Sequence, residues 1–62
     1  MEERVLIWFN TRLVIGHYVF DDAGGLVTVS AEHGSKTIQI GKYSPKLLAA
    51  LMLRELAEEG KA

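Results

Sequence analysis

Ser44-Pro45-Lys46-Leu47-Leu48-Ala49-Ala50-Leu51-Met52-Leu53-Arg54-Glu55-Leu56-Ala57 reads as a helix in a chain otherwise rich in β-formers. Ser44 can cap it, and Pro45 suits the first helical position, where its missing N–H costs nothing. Tyr43 and Leu48 have the spacing of a hydrophobic staple, and Gly60 suits a left-handed stop. At ~100° per residue the Leu, Met and Ala positions wrap roughly 250° of the helix, although packing on one side needs little more than ~100°. The surplus, centred on Met52 and Leu53, predicts a second apolar contact, most simply with another copy of the chain.

Upstream of the helix lie four short β-rich segments. Val5–Phe9 ends at Asn10-Thr11-Arg12, and Leu13–Phe20 ends at Asp21-Asp22-Ala23-Gly24-Gly25. Leu26–Ala31 ends at Glu32-His33-Gly34-Ser35, and Lys36–Ile40 ends at Gly41. Each break has turn chemistry and hairpin length. Connections this short force antiparallel neighbours, because a parallel crossover needs a dozen or more residues. The expectation is an α+β domain over 1–62: a four-stranded antiparallel meander, then one helix packed on one sheet face (ββββα).

Turns of three, five and four residues would pair Phe9 with Leu13, Val19 with Val27, and Val29 with Ile38. These registers put Val5, Ile7, Phe9, Leu13, Ile15, Val19, Val27, Val29, Ala31, Ile38 and Ile40 on the face beneath the helix, with His17 among them. A one-residue slip in any hairpin would exchange the faces of a strand. The opposite face would carry Leu6, Trp8, Val14, Gly16, Tyr18, Phe20 and Leu26, turning polar at Thr28, Ser30, Thr37 and Gln39. A contiguous exposed apolar patch marks a contact, so Leu6, Trp8, Tyr18 and Phe20 join Met52 and Leu53 as candidate interface residues.

Sixty-two residues make one domain at most, and a chain of this length buries only about 60% of its unfolded surface. With no Cys, neither disulfides nor thiolate metal sites can reinforce it. Good packing or a partner subunit must do so. The formal net charge of −1 lacks the basic excess typical of a phosphate-binding protein. No run approaches the ~20 apolar residues of a membrane span, and the acidic start does not read as a secretion signal. A cytoplasmic protein without membrane contact is expected.

Catalytic chemistry finds little purchase. His17 and His33 lack metal-ligand spacing, and His33 reads as a solvated turn residue beside Glu32. Asp21-Asp22 lacks the repeating ligands of a calcium loop. Gly41-Lys42-Tyr43-Ser44 lacks the first glycine of a phosphate loop and interposes Tyr43 between lysine and hydroxyl. No serine elbow or cysteine nucleophile is present. No enzyme activity, cofactor or metal is expected. The acids Glu55, Glu58 and Glu59 sit near the helix end, against the dipole, with Arg54 placed to relieve Glu58.

The order of four meander strands and a C-terminal helix resembles the transcriptional coactivator family that binds single-stranded DNA as a dimer. That resemblance implies helices in the dimer contact and sheets that grip the strand. Three functions follow as expectations. The first is a small non-catalytic, protein-binding module acting as a homodimer. The second is a single-stranded nucleic-acid binder, with Trp8 and Tyr18 stacking on bases and Arg12 and Lys36 meeting phosphates. The third is an inhibitor or adaptor that binds a larger protein assembly.

Overall fold

The computed structural model describes residues 2–62 as one antiparallel sheet and one helix, in the expected ββββα order. The strands are β1 (Glu2–Phe9), β2 (Arg12–Asp21), β3 (Leu26–Ala31) and β4 (Gly34–Gln39), in sheet order β1-β2-β3-β4. The helix α1 (Pro45–Glu58) returns across one face. The longest dimension, 35 Å, is close to the span of the ten-residue β2 at ~3.4 Å per residue.

The helix ends follow their sequence signals. Ser44 has extended backbone, and its side-chain oxygen accepts from the Leu47 amide at 3.2 Å. At the other end Gly60 adopts φ 76°. Its amide donates to the Ala57 carbonyl at 3.1 Å, and the Lys61 amide donates to that of Leu56 at 2.8 Å. This is a Schellman stop, in which a left-handed glycine closes off the last free carbonyls. The chain then turns against the β3–β4 end of the sheet, where the His33 amide donates to the Lys61 carbonyl at 2.9 Å.

The turns are tighter than the sequence reading supposed. Phe9 pairs with Arg12 across the two residues Asn10 and Thr11, both at positive φ (50° and 63°). Such a turn matches the right-handed twist of the strands it joins. Asp21 pairs with Leu26 around four residues, and Ala31 with Gly34 around two. In the second turn the Asp21 carboxylate accepts from the Ala23 and Gly24 amides, at 3.2 and 3.4 Å.

The first two differences each shift a strand by one residue. Together they turn β2 over while leaving β1 and β3 facing as expected. Val14 and Tyr18 therefore face the helix and are buried, whereas Leu13, Ile15, His17 and Val19 are exposed. The third difference slips β4 by two residues, so Ile38 pairs with Val27 and keeps its face.

The core joins Val5, Val14, Tyr18, Val27 and Val29 from the sheet to Leu48, Ala49, Met52, Leu53, Leu56 and Ala57 from the helix. Met52 and Leu53, expected on the surplus surface, are core residues, and Leu53 is fully buried. Burying a side chain of this kind stabilises by about 1.5–3 kcal/mol. Gly16 makes room for it: a Cβ there would lie 2.8 Å from Leu53 Cδ1 and 3.0 Å from the Ser30 carbonyl. The helix's exposed apolar residues are instead Leu47 and Leu51.

Candidate functional site

The sheet face away from α1 is bare. Leu6, Trp8, Leu13, Ile15, Val19 and Leu26 project from it by strand alternation; Leu6 is opposite Ile15 and Trp8 opposite Leu13, and the row of Arg4, His17 and Ser30 separates these four from Val19 and Leu26. Trp8 is 74% exposed, and the five aliphatic residues are 39–50% exposed. With an aromatic side chain offering ~150–250 Å² by itself, the four adjoining residues on β1 and β2 expose a few hundred Å², within the range of the largest patch on a typical monomer. Towards β4 the same face becomes polar through Thr28, Ser30, Ser35, Thr37 and Gln39. Thr28 and Thr37 share a hydroxyl hydrogen bond of 2.9 Å there.

Two of the six candidate interface residues, Leu6 and Trp8, belong to this patch. Tyr18 and Phe20 lie on the helix side because β2 is turned over, with Tyr18 buried and Phe20 half-buried. Met52 and Leu53 lie in the core. In their place the patch takes in Leu13 and Ile15, expected in the interior, and Val19 joins them on the open face beyond His17.

The residues named for nucleic-acid binding do not converge. Trp8 stands on the open face, whereas Tyr18, opposite Val29, stands beneath the helix. Tyr18 donates to Glu3 Oε2 at 3.3 Å. Burial foremost, and then the nearby Glu3 charge and this hydrogen bond, raise the phenol above its ordinary range. Arg12 donates from Nη2 to the Ala62 carbonyl at 3.2 Å.

Lys36, two residues before Ile38, shares its face and so points to the helix side. There it reaches Glu59 Oε2 at 2.7 Å and Glu55 Oε1 at 3.3 Å. The bond to Glu59 is the main cause raising the Lys36 ammonium above the usual lysine range, and it lowers the Glu59 carboxyl below the usual range. Lys36 thus bridges the like-charge pair at i and i+4, Lys61 approaches Glu59 at 3.7 Å, and Arg54 meets Glu58 at 3.9 Å. The acidic helix end is largely satisfied within the chain.

The histidines stand apart. His17 is exposed on the open face, opposite Arg4 and Ser30. His33 lies 3.8 Å from Glu32 in the β3–β4 turn. Among the described residues no pocket forms, and no three His, Asp or Glu side chains gather as a metal site. Nor, among the described residues, is any helix long and apolar enough to cross a membrane. No protein-family model matches the sequence, and comparison with curated proteins and with solved structures gives no match.

Proposed function

We propose that this chain is a non-catalytic interaction module that works as a homodimer, with its contact centred on β1 and the adjoining part of β2. The observation that carries this reading is the apolar surface around Leu6 and Trp8, left uncovered on the sheet face opposite α1. A contiguous exposed apolar patch marks a contact surface, and this one runs out to the free β1 edge at Leu6 and Trp8. A second copy is the favoured occupant because a short chain without cysteine gains most from association. The titratable groups support a binding role rather than chemistry. Glu55 and Glu59 are engaged by Lys36, and the Asp21 carboxylate holds its own turn.

Sedimentation velocity across a concentration series of the purified chain tests the proposal. The expected result is a reversible shift from monomer to dimer. Emission from Trp8, the only tryptophan, should move to shorter wavelength over the same range. A monomer at every concentration, with unchanged emission, overturns it.

A further inference from the structure

Building on that homodimer, we infer that two copies join through their β1 strands, edge to edge and antiparallel, to form one continuous eight-stranded sheet. β1 is an outer strand of the sheet, as is β4, but the two edges are built differently. Native edges are blunted by short length, proline, bulges or charges turned inward. β4 follows this rule: it has six residues, shows Ser35, Thr37 and Gln39 on the open face, and turns the Lys36 ammonium beneath the helix. β1 is longer; its charges are confined to Glu2, Glu3 and Arg4, with Glu3 turned to the helix side against Tyr18, and from residue 5 it reads Val-Leu-Ile-Trp-Phe, with no proline, glycine or charge. Its pairing with β2 is unbroken, without a bulge, from Glu2 to Phe9.

The phase of the first hairpin shows which backbone groups this edge offers. In a two-residue hairpin the pair flanking the turn, here Phe9 and Arg12, is hydrogen-bonded, and bonded pairs then recur at every second residue. Glu3, Val5, Ile7 and Phe9 accordingly direct their N–H and C=O groups to β2. Arg4, Leu6 and Trp8 direct theirs outward, to the free edge. These are also the residues whose side chains stand on the open face, so backbone and side-chain contact coincide.

An axis normal to the sheet relates two antiparallel β1 strands and keeps both helices on one side. Centred on Val5, it would set the Glu2 carboxylate against the Trp8 indole and take Phe9 out of the described ladder. Centred on Ile7, it would pair only residues 5–9 and leave Arg4 outside the ladder. Centred on Leu6, it pairs residues 3–9 of both strands. Leu6 then meets Leu6 of the second copy, Val5 meets Ile7, Glu3 meets Phe9 at the ends, and the Arg4 guanidinium comes beside the Trp8 indole as a cation–π pair. The outward groups of Arg4, Leu6 and Trp8 all find partners in this register. The adjoining open faces merge into one wider surface, with Leu13 and Ile15 flanking the seam on both sides.

Amide exchange followed by NMR on the full chain tests this geometry with no change of sequence. The Arg4, Leu6 and Trp8 amides should exchange at least ~10-fold more slowly at concentrations where sedimentation shows dimer than where it shows monomer. Unchanged exchange at all three in an established dimer overturns edge pairing and leaves the homodimer standing. Absence of any dimer overturns both. Leu6→Pro is a second probe, since it removes an outward N–H that the monomer does not use. It should raise the dimer Kd at least ~10-fold with the helical circular-dichroism signal retained. A folded Leu6→Pro variant with the original Kd rejects the strand register, and should that variant unfold, the exchange rates decide.

Discussion

Leu53 of α1 sits in the space that Gly16 of β2 leaves open: a Cβ at Gly16 would come within 2.8 Å of Leu53 Cδ1. The approach of helix to sheet is therefore set at this point by a missing side chain. Gly16→Ala should destabilise the fold by about 1–3 kcal/mol, because the added methyl overpacks a tight contact that also lies near the Ser30 carbonyl. Leu53→Ala should cost about 2–5 kcal/mol by leaving a cavity. The double variant should be less destabilised than the sum of the two, since the alanine methyl at 16 enters the space vacated by Leu53. Urea unfolding of the four proteins measures the coupling, and simple additivity would show that the contact does not constrain the helix.

The first turn holds Thr11 at φ 63°, a left-handed conformation unfavourable for a β-branched residue. Thr11→Gly should relieve it. The relief exceeds the entropy that glycine loses on folding, so a net gain of about 0.5–1 kcal/mol is expected. A higher urea midpoint with unchanged slope is the predicted outcome, and a lower midpoint would mean that Thr11 carries no strain.

Lys36 and Glu59 give a pH dependence whose sign follows from their shifts. The Glu59 carboxyl is lowered, chiefly by its hydrogen bond to Lys36, so its contribution is complete above the ordinary carboxylate range. It is lost as pH falls through the depressed folded value. The Lys36 ammonium is raised, again chiefly by the Glu59 hydrogen bond, so its contribution is complete below the ordinary lysine range. It is lost as pH rises through the raised folded value. Lys36→Met should therefore lower stability modestly at neutral pH, where Glu55 and Glu59 would face each other without that lysine. The gap between variant and parent should close in strong acid. Urea midpoints over a pH series check this, and a gap independent of pH would assign the effect to packing of the lysine stem.

Element order and helix ends were legible because each rests on local chemistry: Ser44 and Pro45 at the start, Gly60 at the stop, and short polar breaks between strands. The facing of β2 was not. Leu13 to Phe20 is apolar on both alternations except at Gly16 and His17, so periodicity cannot choose between its faces. Turn length had to choose, and Asn10-Thr11 signals a two-residue turn more weakly than Asn-Gly would. Gly16 was the stronger signal, because a glycine inside a strand marks a close approach. Had it been matched to a helix leucine, Tyr18 would have been placed inside and Ile15 outside. On α1 the sheet takes Met52 and Leu53, expected on the surplus surface, and leaves Leu47 and Leu51 exposed. Lys36, expected to meet phosphates, lies instead beneath the helix, on the face it shares with Ile38 two residues on.

Charge placed at Trp8 and at Leu53 should have opposite consequences. Leu53 has no exposure, so Leu53→Glu puts a carboxylate among core side chains and should cost more than about 4 kcal/mol, enough to unfold a domain of this size. Trp8 is 74% exposed, so Trp8→Glu should change monomer stability by no more than about 1 kcal/mol, the value of its cross-strand pair with Leu13. If the seam is centred on Leu6, the introduced carboxylate also meets Arg4 of the second copy, and the dimer should persist. Adding Arg4→Glu then sets like charges opposite each other at both ends of the seam and should dissociate it by at least ~10-fold in Kd. Circular dichroism and sedimentation on the single and double variants separate fold from assembly. Dissociation by Trp8→Glu alone would place the tryptophan in a face-to-face contact between sheets, because only there would its replacement bury an unpaired charge.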